Sequence, residues 1–182
     1  VFLSTRPAGL VPCNNTGVSI LHVMNADGSD KRQLTKEDFR LLNQASWSPD
    51  GNYIVAKKHF TTQRSLGTGE IWIYHVSGGG GVQLVKRASD TLQKELGEPV
   101  YSPNGDAVYY SRNVTSGPIF EYAQDSTQGT FAIERYDLAT GEVTTAVSGY
   151  GGAVRPQPSP DGKNIAFIRR DKDKTALWGK DL

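Results

Sequence analysis

Histidine and carboxylate side chains are the first place to look for chemistry in this 182-residue chain, because they supply general acids, general bases and metal ligands. The three histidines, His22, His59 and His75, include no His-x-His pair. Cys13 is the single cysteine, so it supports neither an internal disulfide nor a thiolate metal site. No Gly-x-Ser-x-Gly motif marks a nucleophilic serine. The sequence therefore predicts no catalytic residue, no metal site and no cofactor.

The charge and hydropathy of the chain argue against two classes of partner. Twenty basic and nineteen acidic side chains leave a net charge of +1, so a general attraction for phosphate backbones is missing. No run of about 18 apolar residues is present that could cross a bilayer as a helix. We therefore expect neither nucleic acid binding nor insertion into a membrane.

A four-residue phrase of turn-forming residues occurs three times, as "SPDG" at 48–51, "SPNG" at 102–105 and "SPDG" at 159–162. Proline presets the first turn dihedral, Asp or Asn bonds its own backbone, and glycine adopts the positive φ that closes the turn. Metal binding by the aspartates is the weaker alternative. We predict a structural role for Pro49, Asp50, Gly51, Pro103, Asn104, Gly105, Pro160, Asp161 and Gly162.

The three phrases recur at a nearly constant spacing, since the glycines that end them lie 54 and 57 residues apart. Each phrase is followed by a run rich in β-branched and aromatic residues, such as "NIAFI" at 164–168. Contiguous apolar residues of this kind indicate a strand that is covered on both faces. The opening residues "VFLSTR" match the same strand, so the chain begins inside a further copy of the repeat.

A second repeated phrase lies between the turns and completes the unit. It reads "SILHVMNADGSDKRQLT", "EIWIYHVSGGGGVQLVK", "FAIERYDLATGEVTTAVS" and "ALWGKDL", with Leu21, Ile71, Ile133 and Leu177 at one shared position. Each copy is a strand, a turn and usually another strand, which gives a unit of four strands, A to D. Such units are typical of β-propeller blades.

We therefore predict an all-β fold for the whole chain. It is a partial β-propeller of about three and a half four-stranded antiparallel blades, formed by a single domain over residues 1–182. The pieces of the blades fall at approximately 1–36, 44–87, 98–148 and 155–182. This number of blades is below the four to eight that close a ring. We expect missing blades or another chain to cover the open edges.

The phrases "SPDG" and "VMNADGSDKRQLT" together resemble the TolB-type propeller repeats, relatives of the WD-repeat propellers. A narrower resemblance is carried by "GEPVYSPNGDAVYYSR", "GPIFEY", "ERYDLATGEV" and "GGAVRPQPSPDGKNIAFIRR". These runs are similar to the propeller segment that precedes a metal-dependent amidohydrolase domain in large bacterial proteins. The resemblance implies a periplasmic or otherwise exported protein. It transfers no catalytic residue, because the barrel's His-x-His pair is absent here.

Loop lengths predict where a binding site would lie. In antiparallel blades the A-to-B and C-to-D turns share one face of the propeller, here called the turn face, and the other connections share the opposite loop face. The insertions of this sequence all fall on the loop face, and long loops on a rigid scaffold tend to carry binding groups. The alternative is that these loops pack on one another and on a neighbouring domain. The candidate binding residues are Phe120, Glu121, Tyr122, Tyr150 and Arg155.

Two functional hypotheses follow from these observations. The first is a non-catalytic, TolB-like propeller segment of a larger exported bacterial protein, a metal-dependent amidohydrolase, that acts in domain docking, substrate access or protein binding. The alternative is a TolB-like protein-interaction module of the bacterial envelope without a hydrolase domain. A propeller enzyme is disfavoured, because the expected A strands supply few carboxylates and no histidine.

Overall fold

The computed structural model describes residues 2–6, 18–35, 40–60, 69–88, 95–114, 131–171 and 174–182. All regular elements in these ranges are β-strands. They are β1 (Phe2–Arg6), β2 (Val18–Val23), β3 (Arg32–Gln33), β4 (Arg40–Trp47), β5 (Tyr53–Phe60), β6 (Gly69–His75), β7 (Val82–Val85), β8 (Leu96–Tyr101), β9 (Ala107–Asn113), β10 (Phe131–Asp137), β11 (Val143–Val147), β12 (Val154–Pro158), β13 (Asn164–Asp171) and β14 (Lys174–Asp181).

The strands form four antiparallel sheets in chain order, and in each sheet every strand pairs with its neighbour in sequence. We call the sheets blade 1 (β1–β3), blade 2 (β4–β7), blade 3 (β8–β11) and blade 4 (β12–β14). The predicted fold class, an all-β partial propeller built from four-stranded antiparallel units, is confirmed. In the described residues, blade 1 has strands B, C and D, whereas blade 4 has strands A, B and C.

Three hydrophobic clusters fill the spaces between successive blades. Each cluster draws residues from both neighbouring sheets, for example Leu21 with Ile54, Val55 with Val108, and Ile133 with Ile165. The B strands lie in the middle of this stack, so their adjacent residues serve opposite sides. In β5, Ile54 packs towards blade 1 and Val55 towards blade 3. This double coverage explains the contiguous apolar runs of the sequence.

The three repeated turns lie side by side on the turn face. Gly51, Gly105 and Gly162 have φ angles of 73°, 75° and 71°, and each N–H donates to the carbonyl of the serine that opens its phrase. A Cβ built on Gly105 would lie 3.5 Å from Cδ of Pro49, and one on Gly162 would lie 3.7 Å from Oδ1 of Asn104. Neighbouring turns are therefore in contact, as stacking of successive blades requires.

Exposure of one repeated C-strand position shows which blade faces are covered. Leu21, Ile71 and Ile133 are each 0% exposed, because each lies in the cluster shared with the following blade. Leu177 occupies the same position of blade 4 and is 77% exposed. Every described residue of β14 is exposed. The outer face of blade 4 is thus uncovered in this structure.

Candidate functional site

Two of the five candidate binding residues predicted from the sequence lie among the described residues. Phe120, Glu121 and Tyr122 lie outside the described residues. Tyr150 lies between β11 and β12 on the loop face and is 59% exposed. Arg155 is a residue of strand β12 rather than of a loop, and its polar contacts are with Glu98. The binding role assigned to these five residues therefore stays a prediction.

Arg155 belongs to a repeated backbone distortion of the A strands. Its φ angle is 56°, and Gln44 and Glu98 have φ angles of 53° and 52°. All three lie where the pairing of strand A with strand B shifts register, as it does at a β-bulge. A left-handed conformation costs a residue with a side chain about 1–2 kcal/mol, so surrounding contacts must hold it in place.

Those contacts run from blade to blade. The side chain of Gln44 accepts a hydrogen bond from the backbone N–H of Glu98 at 3.0 Å. The carboxylate of Glu98 in turn accepts the N–H of Arg155 at 3.0 Å and the hydroxyl of Ser111 at 2.5 Å. Gln44 and Glu98 thus each bind the bulge residue of the following blade. The side chains of Gln44 and Glu98 accept these hydrogen bonds, whereas the guanidinium of Arg155 can only donate.

The sequence contained a signal for this bulge series that composition alone does not reveal. Gln44, Glu98 and Arg155 lie 54 and 57 residues apart, the same spacings as the turn glycines. Sequence reasoning named Arg155 only as a candidate binding residue and missed Gln44 and Glu98, because a positive φ at a residue other than glycine is not predictable from residue type. The side chain of Arg155 is 68% exposed, with its Nε 3.5 Å from Oε1 of Glu98.

A cluster of charged residues lies at the loop-face end of blade 3. Nε of Arg112 is 2.7 Å from Oε2 of Glu134, and its Nη1 is 3.5 Å from Oε1 of Glu95. The hydroxyl of Tyr110 donates to Glu134 at 2.6 Å, and the N–H of Ala88 donates to Glu95 at 2.8 Å. Burial, followed by the hydrogen bond to Glu134, raises the pKa of Tyr110, so its hydroxyl stays protonated. The two carboxylates are bound by these donors, which indicates a structural cluster rather than a general base.

A cavity of about 470 Å³ opens on the turn face, between the repeated turns of blades 2 and 3. We call it the seam pocket. Its volume falls in the range of about 300–1,000 Å³ that is usual for ligand pockets. Its walls include apolar, aromatic and polar side chains, namely Asp50, Tyr53, Ile73, Tyr101, Asn104 and Leu138.

The pKa values of two groups in the seam pocket, Asp50 and Tyr101, are shifted by their surroundings. The hydroxyl of Ser48, followed by the N–H of Asn52, lowers the pKa of Asp50, so this carboxylate is ionised at neutral pH. Burial, followed by the charge of Asp50, raises the pKa of Tyr101. Sequence reasoning missed this pocket because it forms only where two turns meet that lie 54 residues apart. The tyrosines beside the turns, Tyr53 and Tyr101, were the available signal.

Neither a cluster of metal ligands nor a membrane-spanning helix occurs in the part of the chain that the structure describes. No group of three or more His, Cys, Asp or Glu residues there is arranged to hold a metal ion. No helix among those residues is long and apolar enough to span a membrane. The described site features are therefore the bulge series, the charged cluster and the seam pocket.

Comparison with solved structures identifies the class of fold. A protein described as TolB from Agrobacterium tumefaciens superposes with a TM-score of 0.66 at 20% identity, over 92% of this chain and 55% of that one. TolB from Acinetobacter baumannii gives 0.66 at 19% identity, over 90% and 35%. An oligogalacturonate lyase from Vibrio parahaemolyticus gives 0.55 at 12% identity, over 96% and 43%. No protein-family model and no curated protein matches the sequence.

The resemblance read from the sequence is thus confirmed at the level of the fold, which is a TolB-like partial β-propeller. The chain spans 55% and 35% of the length of the two TolB structures. At these identities the likeness concerns the fold alone, since propellers carry many unrelated functions.

Proposed function

We propose that this chain is the non-catalytic propeller segment of a larger exported bacterial protein. In this proposal the larger protein is a metal-dependent amidohydrolase, and the propeller docks the hydrolase domain, shapes substrate access or binds a protein. A periplasmic or otherwise exported location is proposed from the same likeness to TolB proteins. A docking role is supported by the exposed apolar residues on the outer face of blade 4.

The outer face of blade 4 is the single observation that carries this proposal. Leu177 pairs with Ile168 on this face, and Ala166 lies on it beside them. The corresponding C-strand residue of every preceding blade is fully buried by the next sheet, whereas Leu177 is 77% exposed. β14 pairs with one strand, whereas the equivalent C strands β2, β6 and β10 each pair with two. An apolar face beside an unpaired edge is an aggregation site unless something covers it.

Two kinds of cover fit this face. Missing blades of the same protein would bury Leu177 as blade 4 buries Ile133, and another chain or neighbouring domain would do so through a docking interface.

A TolB-like interaction module of the bacterial envelope, without a hydrolase domain, is the second candidate function. The superposition on two TolB structures favours it. The coding sequence after Leu182 discriminates: further blades followed by a His-x-His strand end support the hydrolase, and a stop after ring closure supports the module.

The purified chain is expected to show no metal-dependent hydrolysis of amide substrates. Its described residues bring no metal ligands together, and the charged cluster of blade 3 holds its carboxylates in structural bonds. The measurement is amide hydrolysis with and without added zinc, compared with buffer alone. A turnover that survives repurification and disappears in the Glu121→Gln variant would contradict the non-catalytic assignment.

A further inference from the structure

The seam pocket combines a carboxylate with aromatic surface but holds no cation of its own. Asp50 is the ionised residue in its wall, and its carboxylate also accepts hydrogen bonds from Ser48 and Asn52 within the turn. None of the described residues that line the pocket is a lysine or arginine. Tyr53 is 42% exposed, so the ring is accessible from solvent, whereas Tyr101 is 7% exposed. A cation over an aromatic face gains electrostatic energy, and a nearby carboxylate adds to it. The pocket is therefore chemically complementary to a positive charge.

The interface between blades 3 and 4 contains a cation at a position that corresponds to the wall of the seam pocket. The repeat places Arg135 of blade 3 where blade 2 has Ile73. The guanidinium of Arg135 lies 3.0 Å from Asp106 and 3.1 Å from Asp137. The chain thus supplies its own arginine between blades 3 and 4. Between blades 2 and 3 the residue that corresponds to Arg135 is Ile73, and those that correspond to Asp106 and Asp137 are Asn52 and His75. The carboxylate of this seam is instead that of Asp50, and no arginine of the described chain occupies the space beside it.

The interface between blades 2 and 3 also differs from that between blades 3 and 4 in having an open cavity. Tyr53 of blade 2 corresponds to Ala107 of blade 3, which is 0% exposed. The larger ring lines an open cavity instead of a closed contact. Ile73 and Leu138 provide apolar walls in the same cavity. Long basic side chains bury their methylene stems along walls of this kind while the charged end meets polar groups.

From these contacts we infer that the seam pocket binds a lysine or arginine side chain presented by a partner protein. The cationic end lies beside Asp50 and against the ring of Tyr53, and the stem packs on Ile73 and Leu138. The inference deepens the protein-binding role proposed above and rests on it. It adds a binding surface on the turn face to the one predicted on the loop face.

The test is an NMR titration of the chain with two short peptides, acetyl-Gly-Arg-Gly-amide and its analogue with norleucine in place of arginine. The arginine peptide is expected to cause saturable shifts at Tyr53 and Tyr101. The norleucine peptide is expected to bind about tenfold more weakly, because it lacks the charge. Equal binding of the two peptides, or no saturable shift with the arginine peptide, would overturn the inference.

Two substitutions in equivalent turns provide the matched comparison. Asp50→Asn removes the charge but keeps a side-chain oxygen that can accept the hydroxyl of Ser48 and the N–H of Asn52, and it should weaken binding of the arginine peptide about tenfold. Asp161→Asn makes the same change in blade 4 and should leave binding unchanged. An equal loss in both variants would indicate general charge attraction and refute a specific pocket. Failure here would leave the docking proposal intact, because that proposal depends on the face around Leu177.

Discussion

Replacement of Ile133 by alanine is expected to lower the free energy of unfolding by about 2–5 kcal/mol, whereas Leu177→Ala should change it by less than about 0.5 kcal/mol. The two residues occupy one position of the repeat and differ in cover. Ile133 is 0% exposed in the cluster between blades 3 and 4, and Leu177 is 77% exposed. Truncation of the first leaves a cavity, and truncation of the second removes little packing. Urea denaturation followed by circular dichroism measures both values.

A third variant, Ile71→Ala, provides the control for this pair. Ile71 is 0% exposed between blades 2 and 3, so its truncation should cost about as much as that of Ile133. Measurement at low protein concentration keeps self-association through the exposed face of blade 4 from stabilising the folded chain. Similar losses at Leu177 and Ile133 would contradict the arrangement in which blade 4 has an uncovered outer face.

Replacement of Arg112 by leucine is expected to destabilise the chain by about 2–3 kcal/mol, because two poorly solvated carboxylates lose their cation. The Glu95 and Glu134 side chains are 3% and 13% exposed, and Arg112 is 25% exposed, which moderates the loss. Chemical denaturation of the variant measures the effect. Combination with Glu134→Gln should recover part of the loss, since one of the stranded charges is then removed.

The matched control for Arg112 is Arg169, its counterpart in blade 4. Arg169 donates to the backbone carbonyls of Gly152 and Ser148 rather than to carboxylates. Arg169→Leu therefore leaves no buried charge unpaired and should cost only about 1 kcal/mol. Equal losses for the two arginines would show that the carboxylates of blade 3 do not depend on Arg112.

The blade repeat could be predicted from the sequence because its signals are local. In each turn the proline, the Asp or Asn, and the glycine determine the bend within four residues, and Gly51 shows the expected positive φ. The apolar run after Gly51 likewise indicates coverage on both faces, which Ile54 and Val55 provide in the structure. Local chemistry therefore indicated both the strands and their stacking.

Features that depend on contacts between blades could not be predicted in the same way. The left-handed conformations of Gln44 and Glu98 are held by partners in the next blade, more than fifty residues away in sequence. The seam pocket depends on the meeting of Tyr53 with Tyr101 across two sheets. Residue types alone do not report these distances, so sequence reasoning favoured the longer loops instead. The candidates Phe120 to Tyr122 in those loops stay predictions.

Amide hydrogen exchange in β14 tests the central claim that the outer face of blade 4 is built to be covered. The comparison is between this chain alone and the larger polypeptide proposed above, here called the full-length polypeptide, with exchange read by mass spectrometry. We expect the peptides that contain Leu177 and Trp178 to exchange at least about tenfold more slowly in the full-length polypeptide, because a further sheet or domain shields them. Equal exchange of these peptides in both proteins would contradict the account.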